Sequence, residues 1–150
     1  MTSMSGCSTV KSRGFNSLGS GVRIDRIDHL VLTVIDIERT IAFYVDVLGM
    51  TEQTFGSGRR ALSFGSSKIN LHQRGREFDP KAAAPTPGSA DVCLIAAEPI
   101  DVIVAELTAH RVAIEDGPVE RTGARGPIIS VYVRDPDGNL IELSNYRDNE

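Results

Sequence analysis

His29-Leu30-Val31-Leu32-Thr33-Val34 decides the fold, because Asp91-Val92-Cys93-Leu94-Ile95-Ala96 repeats its pattern at an offset of 62. Over 27–34, His29, Val31 and Thr33 share one face, and Leu30, Leu32 and Val34 share the other. This predicts a strand with one wholly aliphatic side. Asp36 is placed to cap a following helix whose Ile37, Ile41, Tyr44 and Leu48 recur at helical spacing until Gly49 stops it. Further strands are expected at about 60–64 and 68–73. The second series runs in the same order. A strand over 91–96 precedes a helix that begins at Pro99 and carries Ile100, Ile103, Val104 and Leu107 as its stripe. Strands near 128–134 and 140–146 flank the turn Asp135-Pro136-Asp137-Gly138.

Ile69-Asn70-Leu71 aligns with Ile141-Glu142-Leu143 at an offset of 72, and the ten extra residues match 117–126 in length. That segment has three glycines plus Arg121 and Arg125, and reads as an inserted loop, either solvated or able to close over a substrate. The expected layout is a tail over 1–22, a module over about 24–74, a linker over about 75–88 and a second module over about 89–147. Ten of the first 22 residues are Ser or Gly and none is acidic, a composition that suits a disordered tail or an organellar transit peptide.

Composition narrows the function. With 41% hydrophobic and 24% charged residues, the 150-residue chain matches a globular domain. No run free of Asp, Glu, Lys and Arg exceeds ten residues, far short of a membrane-spanning helix. A net charge of −4 argues against nucleic acid, which requires a clustered basic surface. Cys7 and Cys93 do not suggest a disulfide scaffold, so a cytoplasmic, reducing compartment is expected. Phosphate-loop, nucleophile-elbow and Cys-x-x-Cys motifs are all missing.

The repeat collects polar residues on one face of each module. His29 or Asp91 begins that face on the first strand, Asn70 or Glu142 stands on the last strand, and His72 or Ser144 follows two residues later. Imidazoles and carboxylates converging in a cleft are what a divalent metal requires. Singly, each residue also has a structural reading, as a hydrogen-bonded strand end or a solvated edge.

Ile27-Asp28-His29-Leu30-Val31-Leu32-Thr33-Val34, Phe43-Tyr44 with Val47-Leu48-Gly49-Met50, and Arg134 to Leu143 together resemble the vicinal oxygen chelate superfamily. That group includes glyoxalase I, extradiol dioxygenases and bleomycin-binding proteins. Ile69-Asn70-Leu71-His72-Gln73, Pro80-Lys81-Ala82 and the stretch 118–123 are similar to its subgroup of glyoxalase-domain-containing protein five, which includes virulence-associated members. The resemblance implies an α+β fold of two tandem βαβββ modules curled around a cleft, a homodimer, and a divalent metal such as Zn, Ni, Fe or Mn. It places His29 and Glu142 at ligand positions. Asn70 stands where glyoxalase I has a second glutamate, and Asp91 where most metal-dependent members have a histidine.

His29, His72 and Glu142 would then make a two-His, one-carboxylate metal set, with Asp91 as a fourth ligand or as a partner of one. The implied activity is that of a lactoylglutathione lyase-type lyase or isomerase acting on a small oxygen-rich substrate, anionic or a glutathione adduct. Glu142 or Asp91 would move the proton, and Asn70, Arg121 and Arg125 would contact substrate. The alternatives are a single-domain dioxygenase and a metal-free, bleomycin-resistance-type binding protein.

Overall fold

The computed structural model describes residues 21–147. The tail expected over 1–22, with its transit-peptide alternative, lies outside them except for Gly21 and Val22. The described chain runs β1 (His29–Val34), α1 (Ile37–Ala42), a π-helical turn (Phe43–Val47), β2 (Thr51–Phe55), β3 (Arg59–Phe64) and β4 (Ser67–Gln73). It continues with β5 (Asp91–Ile95), α2 (Ile100–Ala109), β6 (Asp116–Gly123), β7 (Gly126–Arg134) and β8 (Leu140–Tyr146). Each βαβββ series forms its own four-stranded mixed sheet, ordered β1-β4-β3-β2 and β5-β8-β7-β6. The two sheets remain separate and do not close into one.

The aliphatic faces predicted from alternation form the core. Leu32 and Val34, Ile69 and Leu71, Val131 and Val133, and Ile141 and Leu143 pack with Ile41, Tyr44, Ile103 and Leu107 in one buried cluster that spans both modules. Each fully buried aliphatic side chain contributes about 1.5–3 kcal/mol, so neither sheet could expose this face alone. The registers give the repeat its geometry: β1 runs parallel to β4 with Val31 opposite Asn70, and β5 runs parallel to β8 with Cys93 opposite Glu142.

Two sequence expectations are corrected, and one strand is added. Residues 117–126 are not an inserted loop. Most of them form β6, which pairs antiparallel with β7 through a bulge between Asp116 and Val119. The glycines misled because they serve close backbone approach. A Cβ on Gly117, whose φ is +98°, would stand 2.3 Å from the Ser130 carbonyl oxygen. Thr51–Phe55, which the βαβββ order requires but no apolar alternation marks, is the edge strand β2, and its polar Thr-Glu-Gln-Thr run suits a solvated edge. Helix α1 is also shorter than its spacing implies, since the chain widens into the π turn that buries Tyr44.

That tyrosine joins the modules. The buried Tyr44 hydroxyl donates to Asp135 Oδ2 at 2.8 Å. Asp135 also accepts from the backbone amides of Asp137 and Asn139, each at 2.9 Å, and from Asn139 Nδ2 at 2.8 Å. Asn139 Oδ1 in turn accepts from the Ala90 amide at 2.8 Å, and Asp137 Oδ1 from the Ile35 amide at 3.3 Å. Burial, then the neighbouring Asp135 charge, pushes the Tyr44 hydroxyl far above the usual phenol range, so it remains a donor. The 135–139 turn therefore grips the first module, the linker and the start of β5 together.

Gly88 completes the joint. Its φ is +79°, and an added Cβ would lie 2.5 Å from the Asp137 carbonyl oxygen. Gly75 has the same φ of +79° with open space around it. Gly88→Ala is therefore expected to lower unfolding free energy by more than the roughly 1 kcal/mol that left-handed backbone alone costs. Gly75→Ala should lose about that backbone cost only. Urea denaturation of the two variants side by side checks this, and equal losses would contradict the packing role.

Candidate functional site: a pocket on the first sheet

The β1–β4 register places Thr33 opposite His72, on the face away from the core. His72 is 3% exposed, and its Nε2 is buried without a hydrogen-bond partner. Asn70 Oδ1, two residues earlier on the same face, is also buried and unpartnered. Such groups are costly unless something satisfies them. Phe78 meets the His72 ring edge-on at 5.6 Å between centroids, and the Arg59 guanidinium lies 4.6 Å from the Phe78 centroid. Between this face and the proline-rich segment after β4 lies a cavity of about 460 Å³, with His72, Val31, Thr33 and Lys81 among its lining residues. Burial, reinforced by the Arg59 charge, pulls the His72 imidazole below the usual histidine value, while Glu77 opposes the shift. The ring is therefore neutral at pH 7, with one nitrogen able to donate and the other to accept.

The equivalent face of the second sheet is built around Glu142. Ser130 Oγ donates to Glu142 Oε1 at 2.6 Å and lies 2.7 Å from Ser144 Oγ, which in turn is 3.4 Å from Cys93 Sγ. A hydroxyl has one hydrogen, and that of Ser130 is used on the carboxylate. Ser144 therefore donates to Ser130 or, at 3.5 Å, to Glu142 itself, and the Cys93 thiol donates to Ser144, a relay that ends on Glu142 either way. Burial raises the Cys93 thiol above its usual range, which keeps it protonated as a donor.

The remaining expected site residues stand apart. His29 sits exposed at the β1 start with its Nδ1 2.8 Å from Asp28, and this hydrogen bond holds the Asp28 carboxyl below its usual range. Asp91 is exposed at the equivalent start of β5. Arg121, on β6, donates to Asp116 and to the Tyr132 hydroxyl, each at 3.1 Å. The Arg125 guanidinium lies 4.7 Å from the Tyr146 ring centroid, in the β6–β7 turn.

The expected metal set does not assemble within one chain. His29 is level with Lys68, and His72 lies four residues further along β4. That separation is roughly 13 Å at strand rise, whereas ligands of one ion all lie about 2 Å from it. Glu142 belongs to the other sheet. Among the described residues, no three His, Cys, Asp or Glu side chains gather closely enough to hold a metal ion. The sequence showed that His29 and His72 share a face but did not weigh their distance along it. Lys81 enters the sequence reading only through the Pro80-Lys81-Ala82 resemblance and Phe78 not at all, because neither stands in a periodic element.

Two curled βαβββ sheets with polar outer faces and a shared core define a small-molecule-binding class of fold. The chain belongs to the Glyoxalase/Bleomycin resistance protein/Dioxygenase superfamily, whose family model matches residues 26–143. It is 61% identical over 123 residues to virulence protein STM3117 of Salmonella typhimurium, covering 82% of this chain and 85% of that protein. It is 56% identical over 122 residues to glyoxalase domain-containing protein RDO1 of Mycosarcoma maydis, covering 81% of this chain and 69% of that protein. The crystal structure of the Salmonella protein superposes with a TM-score of 0.83 at 60% identity, covering 84% of this chain and all 100% of that one.

The His72 shift has a stability consequence. The group titrates near 6.5 when unfolded and lower when folded, so the unfolded chain binds more protons between those values. Stability is fully present above pH 6.5 and falls as pH drops through the folded value. His72→Asn is expected to flatten this part of the pH–stability curve between about pH 7 and pH 5. Denaturation midpoints across that range test it, and wild-type and variant curves of equal slope would contradict it.

Proposed function

We propose that the chain binds a small oxygen-rich molecule in the first-sheet pocket and exchanges a proton with it through His72, a lyase- or isomerase-type reaction. The observation that carries this reading is the buried, unpartnered Nε2 of a neutral imidazole on the wall of a cavity large enough for a small ligand. A neutral imidazole can accept a proton from one ligand atom and return it to another, the usual work of a catalytic histidine. Kinship with a glyoxalase domain-containing protein supports the reaction class. The free Cys93 thiol suits a reducing, cytoplasmic setting, and no described helix is long and apolar enough to cross a membrane.

A second reading keeps the metal-dependent lyase chemistry. His29 and Asp91 begin equivalent strands, and Asn70 and Glu142 hold equivalent register positions. Only a second copy, set face to face, could add Asp91 and Glu142 to His29, so this reading requires a homodimer. Metal content of the purified protein, measured alongside its mass in solution, separates the two.

Turnover of methylglyoxal with glutathione is the assay for the main reading. His72→Asn is expected to lower kcat/KM by about 10²–10⁴-fold, the range of a lost general base, with Glu142→Gln close to wild type. Loss in Glu142→Gln with His72→Asn unaffected would move the reaction to the second sheet and overturn the proposal.

A further inference from the structure

We propose that the first-sheet pocket takes the carboxylate of a small organic acid, held between His72 and Lys81 with its apolar body against Val31 and the prolines. This rests on the reading above that the pocket is the ligand site. The chain carries 20 acidic residues against 16 basic ones, yet among the described residues no carboxylate lines this cavity. Its charged or titratable lining groups are Lys81 and His72.

Elimination leaves three side-chain donors on the wall, His72, Lys81 and the Thr33 hydroxyl. The Thr86 hydroxyl donates to the Ala84 carbonyl at 3.2 Å, and that of Ser89 to the Thr86 carbonyl at 2.7 Å. Both are committed to the backbone of their own segment. His72 Nε2 has no partner. Lys81 Nζ lies 3.3 Å from Asp79, whose side chain is 84% exposed, so one of its three donors faces solvent-side charge. The other groups that act on His72 are Arg59 and Glu77, of opposite sign. One full positive charge and two neutral donors match a monoanion better than a phosphate dianion, which is usually held by several charge-assisted bonds. Val31, Pro80, Ala82 and Pro85 supply apolar wall for a short hydrocarbon body.

Titration of the isotope-labelled protein followed by amide NMR tests this, with benzoate and butyrate compared against benzamide, butyramide and inorganic phosphate. Both carboxylates are expected to shift the 80–90 amides saturably, at least about tenfold more tightly than their amides. Lys81→Met should weaken carboxylates by a similar factor while leaving the amides unchanged, and Lys81→Arg should restore most of the loss. Amides binding as tightly as the acids would overturn the inference and leave the pocket reading standing. Tighter binding of phosphate would overturn the carboxylate assignment. Failure of every probe to perturb the pocket would sink the pocket reading and the inference with it.

Discussion

The hydrogen bond from Tyr44 to Asp135 is the constraint on which the rest of the molecule depends. Each βαβββ unit buries its aliphatic face only because the other is present, and this bond is where the π turn after the first helix fastens onto the last hairpin. An isolated carboxylate in such a place would be costly to bury. Asp135 is tolerated because Tyr44, Asn139 and two backbone amides all donate to it. The same turn holds Ala90 through Asn139 and packs against Gly88, so it also fixes the end of the segment that walls the pocket.

From that anchoring the chemistry follows. Because the segment after β4 is tied down at Ala90, it lies across the outer face of the first sheet and encloses His72. Enclosure removes water from the imidazole, which lowers its proton affinity and leaves Nε2 without a partner. The second sheet repeats the strands but not the enclosure, and its Glu142 instead draws a relay of hydroxyls and a thiol. Two related units have diverged into one face poised around an imidazole and another around a carboxylate.

Much of the fold was legible in the sequence because alternation and helical spacing report burial directly. The offsets of 62 and 72 map Val31 and Asn70 onto Cys93 and Glu142, and the registers pair them so. The Asp-Pro-Asp-Gly-Asn turn was legible as a turn, but its grip on Tyr44 was not, since that contact joins residues 91 positions apart. Glycine misled over 117–126 because the same residue serves loops and close strand approach, and only the Ser130 carbonyl beside Gly117 separates them. The site was half legible. Alternation gives the face a side chain occupies, but not its height along the strand, which is why His29 and His72 read as neighbours.

A double-mutant cycle of Tyr44→Phe and Asp135→Ala, read as unfolding free energy in urea, tests the joint between the modules most directly. The two residues should be coupled by about 1–3 kcal/mol, because either change alone already breaks the shared bond. Losses that add to within about 0.5 kcal/mol would show that the two groups act independently, and the joint would have to lie elsewhere.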